Sequence, residues 1–117
     1  MPQITVERSP YLDHVDWEEF ALALHPVVVE TAAAKPDACK TRVLRTEDEA
    51  VGAEKEGHAI VNVSIALLAG RSDETKARLT EAVVDLLRKH VGPQDGLTLH
   101  LSAEIRDLDA SYTKAVI

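Results

Sequence analysis

The chain has 117 residues, the size of one domain, and its apolar fraction of 45% suits a packed globule rather than disorder. Thirteen Lys and Arg stand against twenty Asp and Glu, and the net charge of −7 opposes nucleic acid and anionic membranes as partners. One cysteine (Cys39) excludes an internal disulfide, the scarcity of aromatic residues excludes base stacking, and the lack of a leader pattern or long apolar run predicts a cytoplasmic protein.

Residues Ile4 to Ser9 alternate in polarity and predict a first strand. Proline is tolerated ahead of a strand, yet Pro2 is also small enough for Met1 to be removed. Removal would leave Pro2 with a free secondary amine. After a polar connection holding Pro10, Asp16 followed by Glu19 resembles a capping box at a helix start. Phe20, Ala23, Leu24, Val27 and Thr31 continue at helical spacing, with Pro26 expected to bend or locally break the helix. The stretch KPDACK ends that segment, and Cys39 to Thr46 reads as the second strand. Thr46 to Gly57 is a charged, exposed loop or hairpin arm.

The order then repeats. HAIVNVSIALLAG reads as a long central strand, nearly apolar on both faces. Ser72 is an N-cap with Asp73 and Glu74 in the first turn, where the helix dipole favours acids. Leu79, Ala82, Val83, Leu86 and Leu87 form an apolar stripe, and Gly92-Pro93 stops the helix. In LTLHLSAEI, Leu97, Leu99, Leu101, Ala103 and Ile105 alternate inward as the fourth strand. The fold class is therefore α/β (α+β): two consecutive β-α-β units, 2–46 and 58–109, joined by a linker at 47–57 and followed by a tail at 110–117. Right-handed crossovers make the strands of each unit parallel. Joining the units through their first strands gives a four-stranded mixed sheet with both helices on one face. The other face, read as apolar, calls for a closed homo-oligomer.

Little of the usual chemistry has a motif. His14, His25, His58, His90 and His100 show no metal-binding spacing, so no metal is expected. His14 reads as a solvated helix entrance, His90 as a dipole complement, and His100 as an outward strand residue. Cys39 reads as a structural thiol, and the NVS sequon at Asn62 lies in a strand of an unexported chain. Cations and the amino terminus remain. Arg71 lies between the third strand and the second helix, where helix amides and a guanidinium fork can grip a carboxylate. Lys40 and Arg42 are two apart on one strand and project from the same face, as candidate substrate-binding cations. If the first strands of the two units run antiparallel, Pro2 and Arg71 become neighbours.

MPQITVE at the start, KTRV at Lys40 to Val43 and AGRSDETK at Ala69 to Lys76 together resemble the 5-carboxymethyl-2-hydroxymuconate isomerases of the tautomerase superfamily. The likeness spans nearly the whole chain and includes Pro26 in the first helix and Glu104-Ile105 in the last strand. It implies a homotrimer and an isomerase of aromatic-compound catabolism that needs no cofactor. Pro2 would be the acid/base that moves a proton on a small anionic dienol. Arg71 would hold a carboxylate or polarise the carbonyl oxygen. Lys40 stands where the family has an arginine, keeping the charge without the bidentate fork. The tail after Asp109 is short and unlike the family's, and a tail that lines the site would change specificity. Two alternatives accompany this reading: hydration, decarboxylation or dehalogenation of an unsaturated acid by the same proline, or a non-catalytic trimeric binding protein.

Overall fold

Two strand–helix–strand units meet along their first strands in the computed structural model, which describes all 117 residues. The first unit comprises β1 (Gln3–Arg8), α1 (Trp17–Ala32) and β2 (Lys40–Arg45). The second comprises β3 (His58–Leu67), α2 (Asp73–Val91) and β4 (Thr98–Asp107). The sheet order is β2-β1-β3-β4, parallel within each unit and antiparallel where β1 meets β3. Element ends differ from the sequence reading by one to three residues, as fraying ends do.

Local chemistry explains both helices. Asp16 accepts the Glu19 backbone N–H at 3.0 Å and starts α1, while no bond returns from the Glu19 side chain, so only half of the expected box forms. Pro26 does not break α1. It removes the N–H that would bond the Leu22 carbonyl, and both residues lie on the exposed side, where water supplies the partner. The buried stripe is Phe20, Leu24, Val28 and Ala32, one residue every four. Ser72 accepts the Thr75 backbone N–H at 3.2 Å to start α2, and Gly92 ends it at φ 66°.

One core lies between the helices and the sheet. Ile4 and Val6 of β1 and Ala59, Val61, Val63, Ile65 and Leu67 of β3 are buried against Leu24 and Val28 of α1 and Leu79, Val83 and Leu87 of α2. Each large aliphatic side chain so buried contributes about 1.5–3 kcal/mol before entropy is counted. His90 does more than complement a dipole, since its ring packs edge-on to Phe20 with centroids 5.5 Å apart. His100 does point outward, bonded to His58 at 2.9 Å.

The far face of β3 corrects the sequence reading. Strand alternation places His58, Ile60, Asn62 and Ser64 there, all half-buried and mostly polar. Ser102 donates to the Asn62 side-chain oxygen at 2.6 Å, and the Asn62 amide donates to Ser64 at 3.3 Å. The run reads as apolar throughout only because the core-facing set is wholly aliphatic. The linker is a charged surface excursion, closed by a tight turn in which Val51 and Glu54 exchange backbone bonds of 2.9 and 3.0 Å.

Candidate functional site

Antiparallel pairing of β1 with β3 brings the start of one beside the end of the other, with Gln3 opposite Ala66. Pro2 and Arg71 thereby line one cavity of about 330 Å³. Pro2 is buried and shares the strand parity of Ile4 and Val6, so it belongs to the helix side of the sheet. Ala33 and Ala34, just past α1, and Leu67 and Leu68, at the end of β3, give the cavity an apolar wall. Lys35, Arg71 and Lys114 supply its charge.

Arg71 is held in place by backbone. Its Nε donates to the Ala32 carbonyl at 3.0 Å and Nη1 donates to the Leu68 carbonyl at 3.2 Å. Two of the five guanidinium N–H donors are thus used, and three remain for a ligand. The Ala32 carbonyl lies at the end of α1, a partial negative charge that suits a cation, and the Leu68 carbonyl follows β3. No carboxylate neutralises these groups. The ion pairs of the chain join Arg8 and Arg45 to Asp13, His58 to Glu54, and Lys76 to Asp107. Lys35, Lys40, Arg71 and Lys114 have none.

The amino terminus closes the same end of the sheet. The Met1 amine donates to the Ala38 carbonyl at 2.6 Å, and Lys40 Nζ donates to that carbonyl at 3.2 Å. Burial, then the charges of Lys40 and Lys114, hold the amine pKa below its ordinary value of 8.0. While Met1 is present the Pro2 nitrogen is an amide and has no basicity.

The four sequence-derived candidates therefore separate. Pro2 and Arg71 share the cavity, whereas Lys40 lies beside the terminal amine without lining the cavity. Arg42 lies elsewhere. Its Nη2 donates to Gln3 Oε1 at 2.8 Å, on the open face of the sheet. Lys40 and Arg42 do share a face, as their spacing requires, but register places that face with Gln3 and Thr5, opposite the side of Pro2. Lys35 and Lys114 were not singled out from the sequence, because a loop and a tail carry no periodic signal. Cys39 is buried, with its thiol pushed up by that burial, as a structural residue should be.

The sequence model of the 5-carboxymethyl-2-hydroxymuconate isomerase family matches residues 2–116. No curated protein sequence matches this one. Among solved structures, a 5-carboxymethyl-2-hydroxymuconate isomerase from Deinococcus radiodurans R1 superposes with a TM-score of 0.82 at 25% identity, covering 97% of this chain and 88% of its own. A fused 4-OT protein, a symmetric trimer, gives 0.77 at 21% identity over 97% and 90%. A 5-carboxymethyl-2-hydroxymuconate delta-isomerase gives 0.75 at 17% over 99% and 88%. The last two likenesses concern the fold. The family match runs from the cavity proline through both strand–helix–strand units and into the tail, so this chain belongs to the 5-carboxymethyl-2-hydroxymuconate isomerase family and is an isomerase.

Proposed function

We propose that this isomerase moves a proton within a small carboxylated dienol such as 5-carboxymethyl-2-hydroxymuconate, with Pro2 as its acid/base once Met1 is removed. The observation that carries the reading is the meeting of Pro2 and Arg71 in one cavity whose cations lack carboxylate partners. The Pro2 nitrogen takes a proton from the dienol and returns it at another carbon of the conjugated system. The double bonds shift, the composition is unchanged, and neither oxidant nor metal is consumed. Arg71 steadies the negative charge that develops on oxygen between the two transfers. An apolar wall disfavours the charged form of such an amine, and a base whose pKa is matched to the working pH transfers protons most efficiently.

The same reading makes the working unit a homotrimer. It is supported by β4, a ten-residue edge strand whose outer N–H and C=O groups have no partner within the chain, beside half-buried Leu99, Leu101 and Ile105.

The test is ketonisation of 5-carboxymethyl-2-hydroxymuconate, followed by ultraviolet absorbance, on protein whose intact mass shows Met1 removed. Conversion should be rapid and should fall by about 10²- to 10⁴-fold in Pro2→Ala, the usual contribution of a positioned acid/base. Undiminished turnover in that variant removes Pro2 from the mechanism. No turnover by the processed protein removes the substrate.

A further inference from the structure

The tail is the one segment at the cavity that neither strand–helix–strand unit accounts for. After β4 the Leu108 N–H bonds the Leu67 carbonyl at 2.6 Å, and the Asp109 carboxylate accepts the Ser111 N–H at 2.9 Å, turning the chain. Gln3 Nε2 then donates to the Tyr112 hydroxyl at 2.9 Å. That bond carries the tail from β4 past β3 to β1, across the end of the sheet. Tyr112 is half-buried while the residues around it are exposed, so it is the anchor of the tail. Two residues later Lys114 lines the cavity beside Pro2, Lys35 and Arg71. Beyond it Val116 and Ile117 are fully exposed and hold nothing.

A lysine on a free tail would pair with one of the twenty acids of this anionic chain or remain in water. Lys114 is exposed but pairs with none of them; it stands at the cavity rim, and its charge reaches the amine of the terminus. Placing a third cation near Arg71 and Lys35 costs electrostatic energy, which an anionic ligand repays.

We propose that Lys114 is a specificity-determining cation, which binds the carboxylate of the substrate most distant from the one held by Arg71, and that Tyr112 is its positioning residue. This inference rests on the reading of the site as one for a carboxylated dienol. Arg71, fixed by two backbone carbonyls, defines one end of the ligand. Lys114, on a tail pinned only at Tyr112, defines the other end and sets how many carboxylates, and at what separation, the cavity accepts. The C-terminal residues therefore act as a selectivity strap.

Lys114→Gln should raise KM for 5-carboxymethyl-2-hydroxymuconate about tenfold, the loss of one charge-assisted hydrogen bond at a partly exposed site. The value of kcat on its alkaline plateau should be retained, and Lys114→Arg should restore KM. Tyr112→Phe should raise KM in the same direction with kcat unchanged. Binding of adipate, an unreactive six-carbon dicarboxylate, is measured in parallel by calorimetry on the intact protein. It should weaken about tenfold in Lys114→Gln, while binding of a monocarboxylate such as hexanoate stays the same. Adipate affinity that Lys114→Gln leaves unchanged overturns the proposal, even if turnover proves to depend on Pro2. Weakened adipate binding in a protein that converts no dienol supports the role of the strap and rejects only the substrate.

Discussion

Lys40 shows how one charge can matter without touching a ligand. Its ammonium meets the Ala38 carbonyl that also receives the terminal amine, so the two cations share one acceptor. Such a neighbour disfavours a second positive charge, and the lowered amine pKa follows from burial first and Lys40 next. The Pro2 amine of the processed chain begins one residue further along, on the residue whose carbonyl accepts the Lys40 backbone N–H at 3.1 Å. The acid limb of kcat/KM, which reports the base in the free enzyme, should therefore lie below the pKa of the same amine in water. Lys40→Gln removes a charge that opposes protonation, so the limb should move to higher pH. A pH–rate series on both proteins checks the sign, and a shift to lower pH would contradict it. Arg71 acts differently, because its two backbone bonds fix a guanidinium that a lysine could not imitate.

At the scale of elements, the cavity wall is made where α1 ends. Ala33 closes the helix at φ 55° and ψ 39°, the left-handed conformation that glycine ordinarily supplies. A Cβ in that region costs roughly 1–2 kcal/mol relative to the right-handed form. Ala33→Gly, free of that strain but with more unfolded-state entropy, should stabilise the fold by up to about 1 kcal/mol. Urea unfolding would show this as a higher midpoint at constant m. A lower midpoint would mean that the Ala33 methyl contributes packing at the cavity that outweighs its strain. Pro26 belongs to the same lesson. Its fixed φ is compatible with a helix, and the lost hydrogen bond falls on the solvent side, so α1 remains continuous.

The whole molecule is a two-layer structure with an uncovered side. Both helices occupy one face of the sheet, leaving the other polar but half-buried along β3, and leaving β4 as a long open edge. Exposed edges of that length invite pairing. Sedimentation velocity on the processed protein should give a species of three times the 12.8 kDa chain mass. A monomer at micromolar concentration would overturn the trimer reading. The predicted assembly also fits the polar residues on the open face: Asn62, Ser64 and Ser102 are joined by hydrogen bonds, and the Ser64 hydroxyl and the second Asn62 amide N–H remain to donate to another copy.

Local physics made most of the fold readable from the letters alone. Caps at Asp16 and Ser72, the aliphatic stripe of α2, the alternation of β1 and β4 and the stop at Gly92-Pro93 each depend on neighbours within a few residues. The handedness of crossovers then leaves few ways to assemble two such units. The approach of Pro2 to Arg71 was readable for the same reason, since it needs only that the first strands of the units lie antiparallel. Which cations join them was not. Spacing put Lys40 and Arg42 on one face, but only register decides which face, and it places them on the open side. Lys35 and Lys114 come from segments without periodicity, and their positions depend on the ends of α1 and on a single Tyr112–Gln3 bond between residues 109 apart in sequence. Periodic patterns record the local helix or strand that bears them. A charge on a loop or tail acquires its neighbours only when the sheet has been assembled.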